Sequence, residues 1–167
     1  MPQIVDSILE RQEVVILENQ NEPDTEHIIS DLLDEPKAMT VVDINGYGYI
    51  GFLGMPSLDL ELPVMSDWSY PQLRIAPCRY WGNLFTDDLV IMAHNYRWHF
   101  GSLSKLAYGD TVTFTDMHGE TTEYEVKAVE VLAPSAVEEI TSGNYDLTLF
   151  TCTYGGRSRI AVNCDRK

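Results

Sequence analysis

The chain has 167 residues, 44% of them hydrophobic, and a formal net charge of −15. That length suits one ordinary domain, or a domain with an appendage, able to bury roughly two-thirds of its unfolded surface without disulfides or metals. No apolar run approaches the ~18 residues of a membrane-spanning helix, and the acidic balance excludes a surface built to neutralise nucleic-acid phosphates.

The N-terminus, MPQIVDSILERQ, lacks the basic region and apolar core of a signal peptide. An exported protein would therefore present this chain as a mature ectodomain or a piece of one. Residues 1–36 carry ten acids against one base, Arg11, whereas the remainder holds 16 acids and 10 bases. Within the acidic part, Ile4, Val5, Ile8, Leu9, Val15 and Leu17 recur at mostly helical spacing. After a polar break at Pro23, Ile28, Ile29, Leu32 and Leu33 share a second helical face that Pro36 stops. Two short amphipathic helices are predicted, an acidic appendage over 1–38 ahead of a β-rich domain over 39–167.

From Met39 the pattern changes to short β-type runs. MTVVDI is followed by YGYIGFL (Tyr47–Leu53), then by LDLELPVM, where Leu58, Leu60 and Leu62 alternate with acids as a half-buried strand requires. Residues 66–76 read as a short helix and loop. LVIMAH, after Asp87-Asp88, is a continuous apolar run and reads as a fully buried strand ending at His94. HFGSLSKL (His99–Leu106) reads as one short helix. TVTFTD and TEYEVKAVEVL flank Met117–Glu120 as a hairpin with Val112, Phe114, Tyr124 and Val126 at period two, and Pro134–Ser142 has helical spacing. A last pair of strands, LTLF running into Thr151-Cys152 and Arg159–Val162, is joined through Gly155-Gly156. About eight strands with short helical insertions and N-terminal helices predict a mainly β fold, a closed or nearly closed barrel.

Chemistry concentrates at two strand ends. Cys152 closes one apolar strand, with Arg157 and Arg159 shortly after it, and His94 closes another. Cationic neighbours favour a thiolate and can stabilise an oxyanion, and strand ends at a barrel rim are exposed yet rigidly held. His99, opening a helix, suits a capping or surface role, and His27 and His118 a solvated one. The odd count of three cysteines, without a CxxC or Cys/His cluster, makes a zinc site improbable. A functional Cys152 leaves Cys78 and Cys164 as the available pair in an oxidising compartment.

These residues resemble the sortases, the cysteine transpeptidases of Gram-positive cell surfaces. TLFTC (Thr148–Cys152) matches the family's TLxTC, and Arg159-Ile160-Ala161-Val162 matches the arginine that opens its last strand. Tyr49-Ile50-Gly51 with Met55-Pro56, Leu62-Pro63-Val64, VIMAHN, HFGSL and Gly109-Asp110 follow in the family's order, so the resemblance spans Tyr49 to the end. One departure is Ala93, where the family has glycine before its histidine.

The resemblance implies that Cys152 attacks a peptide carbonyl, that His94 is the general acid and then base, and that Arg159, favoured over Arg157, steadies the substrate or the tetrahedral oxyanion. Thr151 and Arg157 would contribute to substrate binding, and Ala133–Asn144 would form the groove wall. It further implies an LPxTG-like or NPxTN-like sorting signal on a surface protein or pilin, and an amine acceptor, either a peptidoglycan precursor or a pilin lysine. The setting would be the extracellular face of the membrane, with the anchor outside this chain. No cofactor is expected, and metal is left undetermined: some sortases hold calcium with loop carboxylates, and this chain has many acids, but no ligand spacing stands out. Two helices ahead of the barrel resemble the class B branch more than class A. An L,D-transpeptidase lacks support without an SHGC-type segment, and a papain-like peptidase would put its cysteine at a helix start, ahead of its histidine. Another cysteine acyl-transferase or a non-enzymatic β-barrel binding module are the remaining alternatives.

Overall fold

Residues 37–167 are described by a computed structural model; the two predicted acidic helices, with His27 and the class B likeness drawn from those helices, lie outside the described residues. Strand β1 (Val42–Ile44) turns into β2 (Tyr47–Met55) through Asn45-Gly46, both at positive φ (55° and 87°). Asn-Gly suits this two-residue hairpin because both positions must be left-handed. β3 (Leu60–Met65) pairs antiparallel with β2. Its other edge meets β4 (Cys78–Trp81) at a single parallel pair, Met65 with Cys78. That sparsely paired edge is where Pro63, which cannot donate to a ladder, is tolerated. Helix α1 (Tyr70–Leu73) bridges the two strands and is capped by Ser69, whose hydroxyl accepts from the Gln72 N–H at 3.2 Å.

β4 pairs antiparallel with β5 (Leu89–Met92), which lies parallel to β8 (Leu147–Cys152). β8 pairs antiparallel with β9 (Arg159–Arg166), and β9 with β7 (Thr121–Leu132). β7 forms a hairpin with β6 (Thr111–Asp116), and β6 pairs back onto β2. The ring therefore closes over eight strands, with β1 outside it on β2. The predicted barrel is observed.

The differences are local. β4 was not anticipated. HFGSLSKL is not one helix but a series of turns with a single 3-10 turn at Leu103–Lys105. The strand LVIMAH ends at Met92, although the Ala93 N–H still donates to the Phe150 carbonyl at 3.2 Å.

The barrel interior is filled by alternate residues, among them Leu53, Phe114, Tyr124, Leu89, Ile91, Leu147 and Leu149. A second apolar layer lies outside the sheet, where Val90, Phe150 and Ala161 pack with Ile140 of helix α2 (Val137–Ile140). β8 is thus covered on both faces, which is why LTLF reads as an unbroken apolar run rather than an alternating one.

All three cysteines are free, and the pairing of Cys78 with Cys164 is not made. Cys78 is on β4 and Cys164 on β9, separated in the sheet by β5 and β8. Three inter-strand steps of about 4.8 Å far exceed the ~4.4–6.8 Å between the Cα atoms of a disulfide. The two thiols also belong to different apolar clusters.

Candidate active site

Two adjacent strand ends bring the titratable groups together. β5 and β8 run parallel, so their C-terminal ends lie side by side, with Met92 paired to Phe150. The Thr151 hydroxyl donates to the Ala93 carbonyl at 2.7 Å and ties the exit of β5 to β8. His94 therefore emerges next to the last residue of β8, Cys152. Ala93, the departure from the family's glycine, is buried and belongs to the cavity lining, and its backbone keeps both bonds to β8.

After Cys152 the chain reverses over six residues. The Thr153 N–H donates to the Ser158 carbonyl at 3.0 Å, and the Ser158 N–H donates back to the Thr153 hydroxyl at 3.1 Å. Gly155 and Gly156, at φ of 81° and 69°, supply the left-handed backbone that this short return requires. The turn sets Arg159 directly opposite Cys152 across the β8–β9 ladder. Directly opposed residues share one face with Cβ atoms about 4.5–5.5 Å apart. Among the described residues no carboxylate is paired with Arg159; its guanidinium donates only to the Ser158 carbonyl, at 3.3 Å. Arg157 precedes the strand in helical backbone and is exposed. Same-face alternation therefore does not apply to it, since it is not on the strand.

Cys152, His94 and Arg159 line a single cavity of about 210 Å³. One wall is α2, with Val137 and Ile140, inside the segment expected to form the groove wall. The other wall is aromatic and was not anticipated. Tyr80 stands edge-on to Phe150 at 5.1 Å, and Trp68 meets Tyr80 at 5.8 Å and Tyr70 at 5.7 Å. A larger groove of about 450 Å³ on the barrel wall near Phe52 and Glu61 contains neither cysteine nor histidine, so size alone does not mark the site.

Two residues expected at the substrate stand elsewhere. Neither Thr151 nor Arg157 lines the cavity. Thr151 is 2% exposed and its hydroxyl is committed to Ala93, so its role is that of a brace. Replacing it with valine should leave the buried Ala93 carbonyl without this partner. The expected loss is about 1–3 kcal/mol of unfolding free energy, read by denaturant titration. His99 is likewise not a surface cap: it is 4% exposed, its Nδ1 has no partner, and burial, more than the nearby His94, pushes its pKa down. His118 is exposed as expected and is bonded through Nε2 to the Thr40 hydroxyl at 2.7 Å. No group of three or more His, Cys, Asp or Glu side chains gathers as metal ligands among the described residues.

The three thiols differ sharply in environment. Cys78 and Cys164 are completely buried, and burial pushes each pKa up to about 12. The thiolate is the reactive form, so near pH 8 neither carries an appreciable reactive fraction. Cys152 is partly exposed to the cavity. A thiol-directed alkylating probe at pH 8 should modify Cys152 alone in the folded protein and all three after denaturation, as read by peptide mass spectrometry.

Comparison with known proteins bears on the family and the fold. The family model described as Sortase domain matches residues 53–167. Among solved structures the chain is similar to sortase C-1 from Streptococcus pneumoniae, at 26% identity and TM-score 0.61, covering 70% of this chain and 66% of that one. It is similar to pilus island 1 sortase C2 of Group B Streptococcus, at 23% identity and TM-score 0.61, covering 75% and 76%. It is also similar to sortase C1 from Streptococcus suis, at 24% identity and TM-score 0.61, covering 88% and 86%. Among curated proteins none matches.

Proposed function

The chain belongs to the sortase family of cysteine transpeptidases, and from that premise we propose which residues carry the transfer and on what substrates. Cys152 is the nucleophile, His94 the proton carrier and Arg159 the oxyanion partner. The observation that carries this assignment is the direct opposition of Cys152 and Arg159 in a cavity that His94 also lines.

The chemistry follows from those positions. The Cys152 thiolate attacks the scissile carbonyl carbon, a C–S bond forms, and the carbonyl π pair moves onto oxygen. The unpaired guanidinium of Arg159 stabilises that oxyanion within a partly enclosed site. Collapse breaks the C–N bond, and His94 donates a proton to the departing amine, leaving a thioester on Sγ. An incoming amine then attacks the thioester while His94 removes its proton. The new C–N bond forms as C–S breaks, which restores the thiolate. Dividing amide exchange into two acyl transfers stores the bond energy and removes the need for a cofactor.

The donor is a sorting-signal peptide, LPxTG-like or NPxTN-like, on a surface protein or pilin. The apolar cavity beside Cys152, with an aliphatic and an aromatic wall, supports a peptide whose buried side chain is uncharged. The acceptor is an amine of a pilin lysine or of a peptidoglycan precursor, and pilin is favoured by the likeness to a sortase named for a pilus island. The working place is the extracellular face of the membrane; among the described residues no helix is long and apolar enough to cross one. The acidic segment 1–38 is an appendage to the catalytic barrel, 39–167.

The test is a panel of sorting-signal pentapeptides crossed with amine nucleophiles, followed by mass spectrometry of both products. One donor class should be cleaved within its motif and joined to at least one amine. Absence of thiol-dependent cleavage across the panel would overturn the proposal.

A further inference from the structure

Catalytic histidines are usually oriented by a third group, commonly a carboxylate or carbonyl that holds the second ring nitrogen. His94 lacks one: among the described residues its ring takes part in no hydrogen bond and no ion pair. A histidine ring is poorly confined by its own torsions, because χ2 is a broad, roughly two-fold rotation. Among the described residues its ring neighbour is Tyr96, two residues on, whose centroid lies 4.8 Å from that of His94 with the planes tilted by 33°.

Tyr96 is itself held from several sides. Its ring lies 5.3 Å from Trp98 and 5.5 Å from the buried His99, each tilted by 36°. Its carbonyl accepts the N–H groups of His99 at 2.9 Å and Gly101 at 2.8 Å, and the Phe100 N–H donates to the His94 carbonyl at 3.1 Å. The turn is so tight that a Cβ on Gly101 would come within 2.7 Å of the Asn95 and Tyr96 carbonyl oxygens. The segment from His94 to Gly101 is thus folded onto itself, with the Tyr96 ring in contact with the rings of His94, Trp98 and His99.

We propose that Tyr96 is the positioning residue of His94, using the face of its ring where other enzymes use a hydrogen-bonded carboxylate. The inference rests on the assignment of His94 as proton carrier. Tyr96 touches no reacting atom: it limits the swing of the imidazole so that a ring nitrogen stays aimed at the amine bound at Cys152. The flat ring does this, not the hydroxyl. Substrate binding is left to the cavity walls, among which Tyr96 is not found.

The test is steady-state transfer kinetics on three substitutions of Tyr96, with melting temperature as the folding control. Misplacing a catalytic group by about 1 Å can cost about 10²-fold. Y96A should therefore lower kcat by about 10- to 100-fold while KM stays within about twofold. Y96F, which keeps the ring, should hold kcat within about threefold. Y96L keeps most of the volume without a flat face and should lose about 10-fold, which preserves the test if the alanine variant does not fold. Wild-type kcat in a folded Y96A or Y96L would overturn the proposal, as would a Y96F variant no better than Y96L. H94A, run alongside, separates the two readings. An active H94A removes the assignment of His94 and the role of Tyr96 with it, whereas an inactive H94A beside a fully active Y96A removes the Tyr96 role alone.

Discussion

Replacing Cys152 with alanine should abolish both peptide cleavage and amine-dependent transfer, lowering kcat by at least about 10⁴-fold. Removing the nucleophile from a group that acts as a unit forfeits nearly all covalent catalysis, leaving what binding and oxyanion stabilisation supply. The fold should survive. Cys152 is at the end of β8, partly exposed, and lines the cavity rather than belonging to the barrel core. The bonds that shape the turn beyond it run between Thr153 and Ser158. An alanine there deletes one sulfur from a wall that already borders open space, so little or no cavity term is added. The melting temperature should stay within a few degrees of wild type while mass spectrometry finds no acyl adduct. Retained transfer in that variant would remove Cys152 from the mechanism.

The contrast between Cys152 and the other two thiols shows which features a sequence can reveal. Strand existence was legible wherever burial leaves a periodic trace. Val112, Phe114, Tyr124 and Val126 alternate because one face of the β6–β7 hairpin fills the barrel, and LTLF runs unbroken because β8 is covered on both faces. β4 was not legible. CRYW is four residues long, carries an arginine whose guanidinium donates to Ser66 and Gly82 carbonyls, and meets β3 at one residue pair. HFGSLSKL spaces its apolar residues like a helix, yet Gly101 is pressed against the carbonyls of Asn95 and Tyr96, and a close backbone approach leaves no periodic signature.

The site divides along the same line. Cys152, His94 and Arg159 stand at strand ends that local patterns locate, and the order of the motifs brings them together in one reading. The aromatic wall is assembled from Trp68, Tyr70, Tyr80 and Phe150, which belong to separate segments that only barrel closure makes adjacent. The disulfide expectation failed for a related reason. Cysteine arithmetic counts thiols, but the strand order β4-β5-β8-β9 decides which of them can meet. A place for Thr151 at the substrate was implied only by the sortase resemblance. On a strand, neighbours point to opposite faces, so adjacency to Cys152 is a reason for Thr151 to face away from the cavity.

Strand membership, not alternation, separates the two arginines, because β9 begins at Arg159 and leaves Arg157 in the turn. Arg159→Ala should lower kcat by about 10²–10³-fold, the usual cost of removing one donor aimed at an oxyanion. Arg157→Ala should change kcat by no more than about threefold. Arg159 is the cross-strand partner of Cys152 and lines its cavity, whereas Arg157 stands exposed in the turn before the strand. Charge alone does not distinguish them, since each lies within seven residues of the thiol. Arg159→Lys adds a further discrimination, because lysine keeps the charge but loses the planar fork of donors. If the oxyanion is held by directed N–H groups, lysine should recover less than about a tenth of wild-type kcat. If it is held by field alone, lysine should recover most of it. Equal losses in Arg157→Ala and Arg159→Ala would assign the role to the summed charge of the turn and overturn the cross-strand reading.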